Sequence, residues 1–267
     1  NLLCCGTDFG LFFTTDGGRK WIRFRGLPTI AVRDLAIQER ENDLVLATFG
    51  RGFYVLDNYS ALRDINPDLF NKTSHIFPVK KTTLFVQDTG KSRGFQGSDL
   101  WMSDNPPYGA TFTFWLKDTT RKKSAERIAA SRREAGEYPS QAQLTAEADE
   151  EAPQLLLTVT DAAARVVKHL TAPATRGIHR VTWNLRGPSA SAGGGGGRGA
   201  AAMGDPDDPD SPAAAFAGGA FVPPGTYKAS LARRAGGVTT PLGAEQSFTI
   251  EAEPAAQVKP EDRKALT

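Results

Sequence analysis

Cysteine, histidine and methionine are scarce in this 267-residue chain, at two, three and two residues. The two cysteines, Cys4 and Cys5, are adjacent. A disulfide between neighbours is strained and closes no useful loop, so a disulfide scaffold is excluded. No further cysteine completes a ligand set, which excludes a zinc finger. The plain reading of Cys4 and Cys5 is two small apolar residues in a buried strand, pointing to opposite faces, with a vicinal redox or metal pair as the alternative. His75, His169 and His179 are far apart and show no H-x-x-x-H or carboxylate spacing. Neither a metal site nor a Ser-His-Asp arrangement is expected from them, and no cofactor is expected. No run approaches the ~18 apolar residues of a membrane span. Charge of one sign is not in excess either: 32 Lys and Arg stand against 30 Asp and Glu, a net +2. The whole chain therefore has no electrostatic reason to seek nucleic acid or an anionic membrane. The glycine run 193–197 lacks the G-x-x-x-x-G-K-[ST] spacing of a phosphate loop.

What is present reads as β structure. The length suggests about two domains, and 40% hydrophobic and 23% charged residues are ordinary for a globular protein. The 27 glycines and 17 prolines together make about 16% of the chain, above the usual ~12%. From Leu2 to Leu56, short apolar runs recur about every ten residues with Gly, Asp and Asn between them, the mark of an antiparallel array. A four-stranded sheet repeated radially is a propeller blade, and this stretch holds about one and a half. Asp57 to Asn71 is a polar exit, with one helical turn capped by Ser60. Residues 75–109 read as a surface connection, with short extended pieces at His75 to Val79 and Thr83 to Val86. A second β pattern runs over 110–253, opening with Thr111-Phe112-Thr113-Phe114, where Thr alternates with aromatic residues. It carries a solvated helical insertion at 119–152. Residues 189–220, rich in Gly, Ala, Asp and Pro, have too few apolar side chains to offset the entropy of ordering, and read as a disordered loop. The last stretch, 254–267, reads as a linker ending at a proline-led helix start. With Asn1 leading straight into an apolar run, the chain reads as a piece of a longer one, so the lack of a leader says nothing about export.

Thr14-Thr15-Asp16-Gly17-Gly18-Arg19-Lys20-Trp21 fits the S/T-x-D-x-G-x-x-W pattern and resembles the Asp-box, or BNR repeat. The expected roles are structural: Asp16 accepts backbone N–H groups in a tight turn, Gly18 supplies a positive φ, and Trp21 packs against the hairpin from the next strand. Residues 11–57 resemble the closing part of a sortilin-like or sialidase-like propeller. Ala47-Thr48-Phe49-Gly50-Arg51-Gly52-Phe53-Tyr54 is similar to the final-blade strand of secreted bacterial proteins labelled glycosyl hydrolase, BNR repeat. Farther on, Gly177 to Leu185 and Val222-Pro223-Pro224-Gly225-Thr226-Tyr227 resemble an immunoglobulin-like module of the flagellar hook-cap type, with Trp183 as a core aromatic. The expected fold is thus mainly β: terminal blades of a partial β-propeller over 1–74, then an immunoglobulin-like β-sandwich.

These resemblances imply an extracellular or periplasmic, non-catalytic part of a propeller protein that binds a glycan or protein ligand and acts as scaffold. The alternative is the C-terminal part of a glycoside hydrolase whose catalytic residues lie upstream. Glycosidases need carboxylates opposed across the scissile bond. The weak catalytic candidates here are Asp8, Asp34 and Asp57, each at a strand end or turn where Asp is commonly structural. Arg33 and Arg51 are the candidates for contact with an acidic ligand on the axial face, with surface ion pairing as the alternative. Oligomeric state is not legible.

Overall fold

The computed structural model describes residues 2–85, 103, 105–131, 138–188 and 219–253. The protein is mainly β and divides into two compact units, Asn1–Lys72 and Thr73–Thr267.

Unit 1 contains two antiparallel meanders. The first is β1 (Leu3–Thr7), β2 (Gly10–Thr14) and β3 (Ile22–Arg23); the second is β4 (Val32–Gln38), β5 (Asp43–Thr48) and β6 (Phe53–Leu56). Alternation puts one apolar stripe of each meander into a shared core of Leu11, Val32, Leu44, Leu46 and Tyr59. Each leucine so buried contributes about 1.5–3 kcal/mol relative to exposure. The close approach requires glycine at position 6, where a Cβ would lie 2.8 Å from the Val32 carbonyl oxygen. The β1–β2 and β5–β6 hairpins are closed by the same clip. Thr7 Oγ1 donates to the Gly10 carbonyl oxygen at 2.9 Å, and Thr48 Oγ1 donates to that of Gly52 at 2.7 Å. Two 3-10 turns follow, Tyr59–Asp64 and Pro67–Asn71. The first begins two residues before the expected position, because Asn58, not Ser60, takes the cap position with φ 43°, and Ser60 Oγ donates to its Oδ1 at 2.6 Å.

Unit 2 is a two-layered sandwich. Its strands are β7 (Ser74–Ile76), β8 (Thr82–Leu84), β9 (Ala110–Leu116), β10 (Gln154–Thr160), β11 (Val166–Ala172), β12 (Gly177–Trp183), β13 (Gly225–Ala235) and β14 (Val238–Ala252). One sheet has the order β11-β10-β13-β14-β8, the other β12-β9-β7. Their inward stripes meet in one core that includes Phe112, Phe114, Leu155, Leu157, Trp183, Leu231 and Ile250. Phe112 of one sheet stands edge-on to Phe248 of the other, with centroids 5.2 Å apart.

Three expectations change here. Residues 75–109 are not only a connection: β7 pairs antiparallel with β9, β8 pairs parallel with the end of β14, and Phe77 is buried. These strands are three residues long, too short for alternation to show. The second change is one long hairpin in place of the two separate short strands that the apolar runs Tyr227 to Ala232 and Gln246 to Ile250 suggest. β13 and β14 turn through Gly236 and Gly237, at φ 56° and 78°, the two positive values that a tight hairpin turn takes. The third concerns the cysteines: Cys4 is half-buried and Cys5 exposed, so only one lines the core.

Between β9 and β10 lie α1 (Lys123–Ser131) and α2 (Gln141–Ala148), neither with a buried residue. Ser140 and Gln143 form a capping box that starts α2. Arg127 of α1 grips Glu147 of α2 through two N–H groups, Nε at 2.9 Å and Nη2 at 2.8 Å. The expected disordered loop lies outside the described residues apart from 219 and 220, and 254–267 lie wholly outside them.

Candidate functional site

One end of unit 1 gathers several of the residues singled out in the sequence. The β1–β2 hairpin tip, the β5–β6 hairpin tip and the start of β4 meet there, because antiparallel register places Thr7 opposite Gly10 and Val32 opposite Thr48. Arg33 spans the two tips. Its Nη1 lies 3.2 Å from Asp8 Oδ1 on the first, and its guanidinium carbon stands 5.4 Å from the centre of the Phe49 ring on the second. A shallow open cavity of about 210 Å³ lies beside it, lined by Gly6, Val32, Arg33, Asp34 and Leu35. Phe9 and Phe49 project from the tips, 68% and 70% exposed. Arg51 is exposed in the second tip.

The carboxylates at this end are already engaged. Asp8 faces Arg33, and Asp34 Oδ1 accepts the backbone N–H of Leu35 at 2.8 Å. Asp57 follows β6 and lies at the opposite end of the sheet, where the neighbouring Asn58 N–H donates to Asp43 Oδ1 at 2.9 Å. The register thus brings Asp8 and Asp34 to one end and leaves Asp57 at the other. The arrangement offers aromatic faces and guanidinium groups, suited to cation–π, stacking and carboxylate contacts.

The Thr14–Trp21 turn lies at the far end of β2. Asp16 Oδ1 accepts from Thr14 Oγ1 at 2.7 Å, from Arg19 N at 2.9 Å and from Lys20 N at 3.0 Å. Thr14, fully buried, accepts Gly18 N at 3.1 Å. Gly17 and Gly18 take φ 77° and 100°. The Thr14 hydroxyl, then the Lys20 amide, hold the Asp16 carboxyl below the usual carboxylate range. Every bond here serves the turn. Trp21 is 44% exposed, more than packing against the hairpin would leave it, because β3, which it precedes, is only two residues long.

The histidines stay apart. His169 Nδ1 is hydrogen-bonded to Thr158 Oγ1 at 3.0 Å, and His179 Nε2–H donates to the Thr175 carbonyl oxygen at 2.6 Å. Among the described residues no cluster of His, Cys, Asp or Glu could hold a metal ion, and no helix is long and apolar enough to cross a membrane. Burial pushes the Cys4 thiol up, away from the reactive thiolate.

Sequence reasoning missed Phe9 and Phe49 as partners of one surface. The signal was the recurrence of Thr before a Phe-Gly tip in both hairpins, at Thr7-Asp8-Phe9-Gly10 and Thr48-Phe49-Gly50.

No family model matches the chain, and no curated protein matches it. Among solved structures, dimeric latent PorU from Porphyromonas gingivalis matches at a TM-score of 0.29 and 10% identity, over 91% of this chain and 13% of that one. A likeness of that size carries no argument about fold or function.

Proposed function

We propose that the chain is the non-catalytic, ligand-binding and scaffolding end of an Asp-box propeller protein that works outside the cytoplasm. The observation that carries this reading is the Arg33 bridge between two exposed aromatic tips. Phe9 and Phe49 are large apolar side chains held in water by tight hairpins, a costly arrangement without a partner. Arg33 and Arg51 beside them offer guanidinium groups to an acidic glycan, Arg33 by exchanging its Asp8 partner for a ligand carboxylate. The Asp-box resemblance and the paired meanders support the propeller assignment, and the sandwich of unit 2 supports the scaffolding role.

The alternative, a glycoside hydrolase with its main catalytic groups elsewhere in the parent protein, is favoured by one feature: Asp8 and Asp34 share the end that carries the cavity. Binding and turnover assays separate the two. The chain should bind sialylated oligosaccharides on an array, with Arg33→Ala and Phe49→Ala each weakening binding at least about tenfold, the worth of one good contact. It should hydrolyse no sialoside or β-glucan above buffer. Turnover lost in Asp8→Asn would replace the binding reading with the enzymatic one.

A further inference from the structure

At the hairpin-tip end of unit 1, charge and hydrogen bonding are mismatched on Arg33. Its Nη1 and Asp8 Oδ1 lie 3.2 Å apart, with the two side chains 61% and 71% exposed. The charges are therefore paired. Yet among the described residues no N–H of the Arg33 guanidinium makes a hydrogen bond, to Asp8 or to any other group. Other arginine–carboxylate pairs of the chain are in line: Arg127 donates to Glu147 through Nε and Nη2, and Arg165 Nε donates to Asp161 Oδ2 at 2.8 Å. The mismatch is not a matter of slack backbone. Phe49, over whose ring the Arg33 guanidinium stands, has its N–H bonded to the Ala31 carbonyl oxygen at 2.9 Å, just before β4. Thr7 Oγ1 fixes the other tip, donating to the Gly10 carbonyl and accepting Phe9 N at 3.1 Å. Arg33 thus presents a positioned fork of unspent donors, the shape that grips both oxygens of a carboxylate at once. Asp8, held on its own hairpin, supplies the charge without the grip.

We propose that the edge of Arg33 is a carboxylate subsite and that Asp8 is its built-in competitor, displaced when a glycan carboxylate makes the two parallel N–H···O bonds that Asp8 does not. The identity of the occupant rests on the ligand-binding reading; the competition rests on the Arg33 geometry alone. Further sheets of a propeller would stack on the sheet faces and leave these hairpin ends open. Asp8 then acts as a selector. A ligand carboxylate replaces the charge that Arg33 gives up and adds hydrogen bonds, whereas a neutral sugar would have to break the ion pair with nothing to restore it. Exchange of one carboxylate for another also leaves the number of ion pairs unchanged, so screening by salt should weaken binding less than it would at an unpaired arginine.

Two titrations of the full chain test this. In the first, the probe is sialyllactose, with lactose as its neutral control. Asp8→Asn should tighten sialyllactose binding about threefold to fivefold, the upper range for an exposed ion pair. Its affinity should also fall more steeply with salt than that of wild type, and lactose should not distinguish the two proteins. Asp34→Asn removes a charge from the same end, but Asp34 Oδ1 serves the Leu35 N–H and not Arg33, so its gain should stay below about twofold. Equal gains from both variants would overturn the proposal, since net charge alone would then explain them. So would a gain from Asp8→Asn that persists in an Arg33→Ala background. In the second titration the probe is acetate, exchanged for chloride at constant ionic strength. The Nε–H signal of Arg33 is followed by heteronuclear NMR and assigned by its loss in Arg33→Ala. Acetate should move it at severalfold lower concentration in Asp8→Asn than in wild type. The same acetate dependence in both, or none in either, would overturn the proposal. Acetate behaving as expected while sialyllactose binds neither protein would uphold the carboxylate subsite and overturn the glycan reading.

Discussion

The Trp183 indole donates its Nε1–H to the carbonyl oxygen of Arg186 at 2.9 Å, while its ring stands edge-on to Tyr227 and Phe248. One side chain thus fills the sandwich core and also caps the backbone where β12 ends. Trp183→Ala should destabilise unit 2 by about 3–5 kcal/mol, the usual cost of emptying an aromatic site. Trp183→Phe keeps most of the volume but leaves the carbonyl without this donor, and should cost about 1–3 kcal/mol. Urea titrations followed by far-ultraviolet circular dichroism measure both. Equal losses for the two variants would mean that volume is not what the ring contributes.

Gly109 sits just before β9 at φ 124°, and a Cβ there would fall 1.9 Å from the Trp183 carbonyl oxygen. Gly109→Ala meets two penalties: a backbone region costing of order 1–3 kcal/mol and a clash with main chain that cannot swing aside. A loss of at least ~2 kcal/mol is expected. Gly50, at φ 80° with nothing within 4 Å, meets only the first, and Gly50→Ala should cost about 1–2 kcal/mol. A Gly109→Ala protein that melts like Gly50→Ala would show that the β9 approach is looser than this.

Gly219 N donates to the Gly187 carbonyl oxygen at 3.0 Å, and Val222 N to that of Leu185 at 2.9 Å. The chain thus returns to within a hydrogen bond of where it left the sandwich. Replacing 191–216 by two glycines should leave unit 2 folded. The melting temperature should hold or rise slightly, because each halving of a loop recovers only about 0.6 kcal/mol. Extending the deletion through Val222 removes the closing bonds and should lower the melting temperature. Loss of cooperative melting in the shorter deletion would make that tract structural.

How much of this was legible in sequence depended on whether the decisive partners were local. β9 showed itself because Thr alternates with Phe112 and Phe114, which face the core, a period that needs no knowledge of the rest, although Thr113 and Trp115 on its other side are buried as well. The turn around Asp16 showed itself for the same reason: all of the partners of Asp16 lie within four residues. β14 was half hidden, since its first nine residues are mostly exposed on both faces and carry no alternation. Its Gly236-Gly237 turn was the readable mark. Arg33 could be named as a candidate, but not its bridging of Asp8 and Phe49, because sheet register brings together residues distant in sequence. The exposure of Trp21 was illegible for a related reason, since the length of β3, two residues, is set by its pairing with β2.

Asp16 supplies the last prediction, on pH. Its carboxylate is held below the usual range chiefly by the Thr14 hydroxyl and then by the Lys20 amide. In the unfolded chain an aspartate titrates near ~3.9. The folded value is the lower one, so the unfolded state takes up the proton first, and protonation favours unfolding. The stabilisation is fully present above the unfolded value and is lost as pH falls through the folded one. Asp16→Asn retains an acceptor oxygen but no charge, and Asp16→Ala retains neither. Both should melt below wild type at pH 7, Asp16→Ala further, and the gap between wild type and Asp16→Asn should close below about pH 4. A gap constant from pH 7 to pH 3 would show that the carboxylate charge does no stabilising there. Because the turn lies at the far end of β2 from Arg33 and Phe49, glycan binding per folded molecule should be the same in both variants as in wild type. A loss of binding confined to Asp16→Ala would place the ligand at the Asp-box end instead.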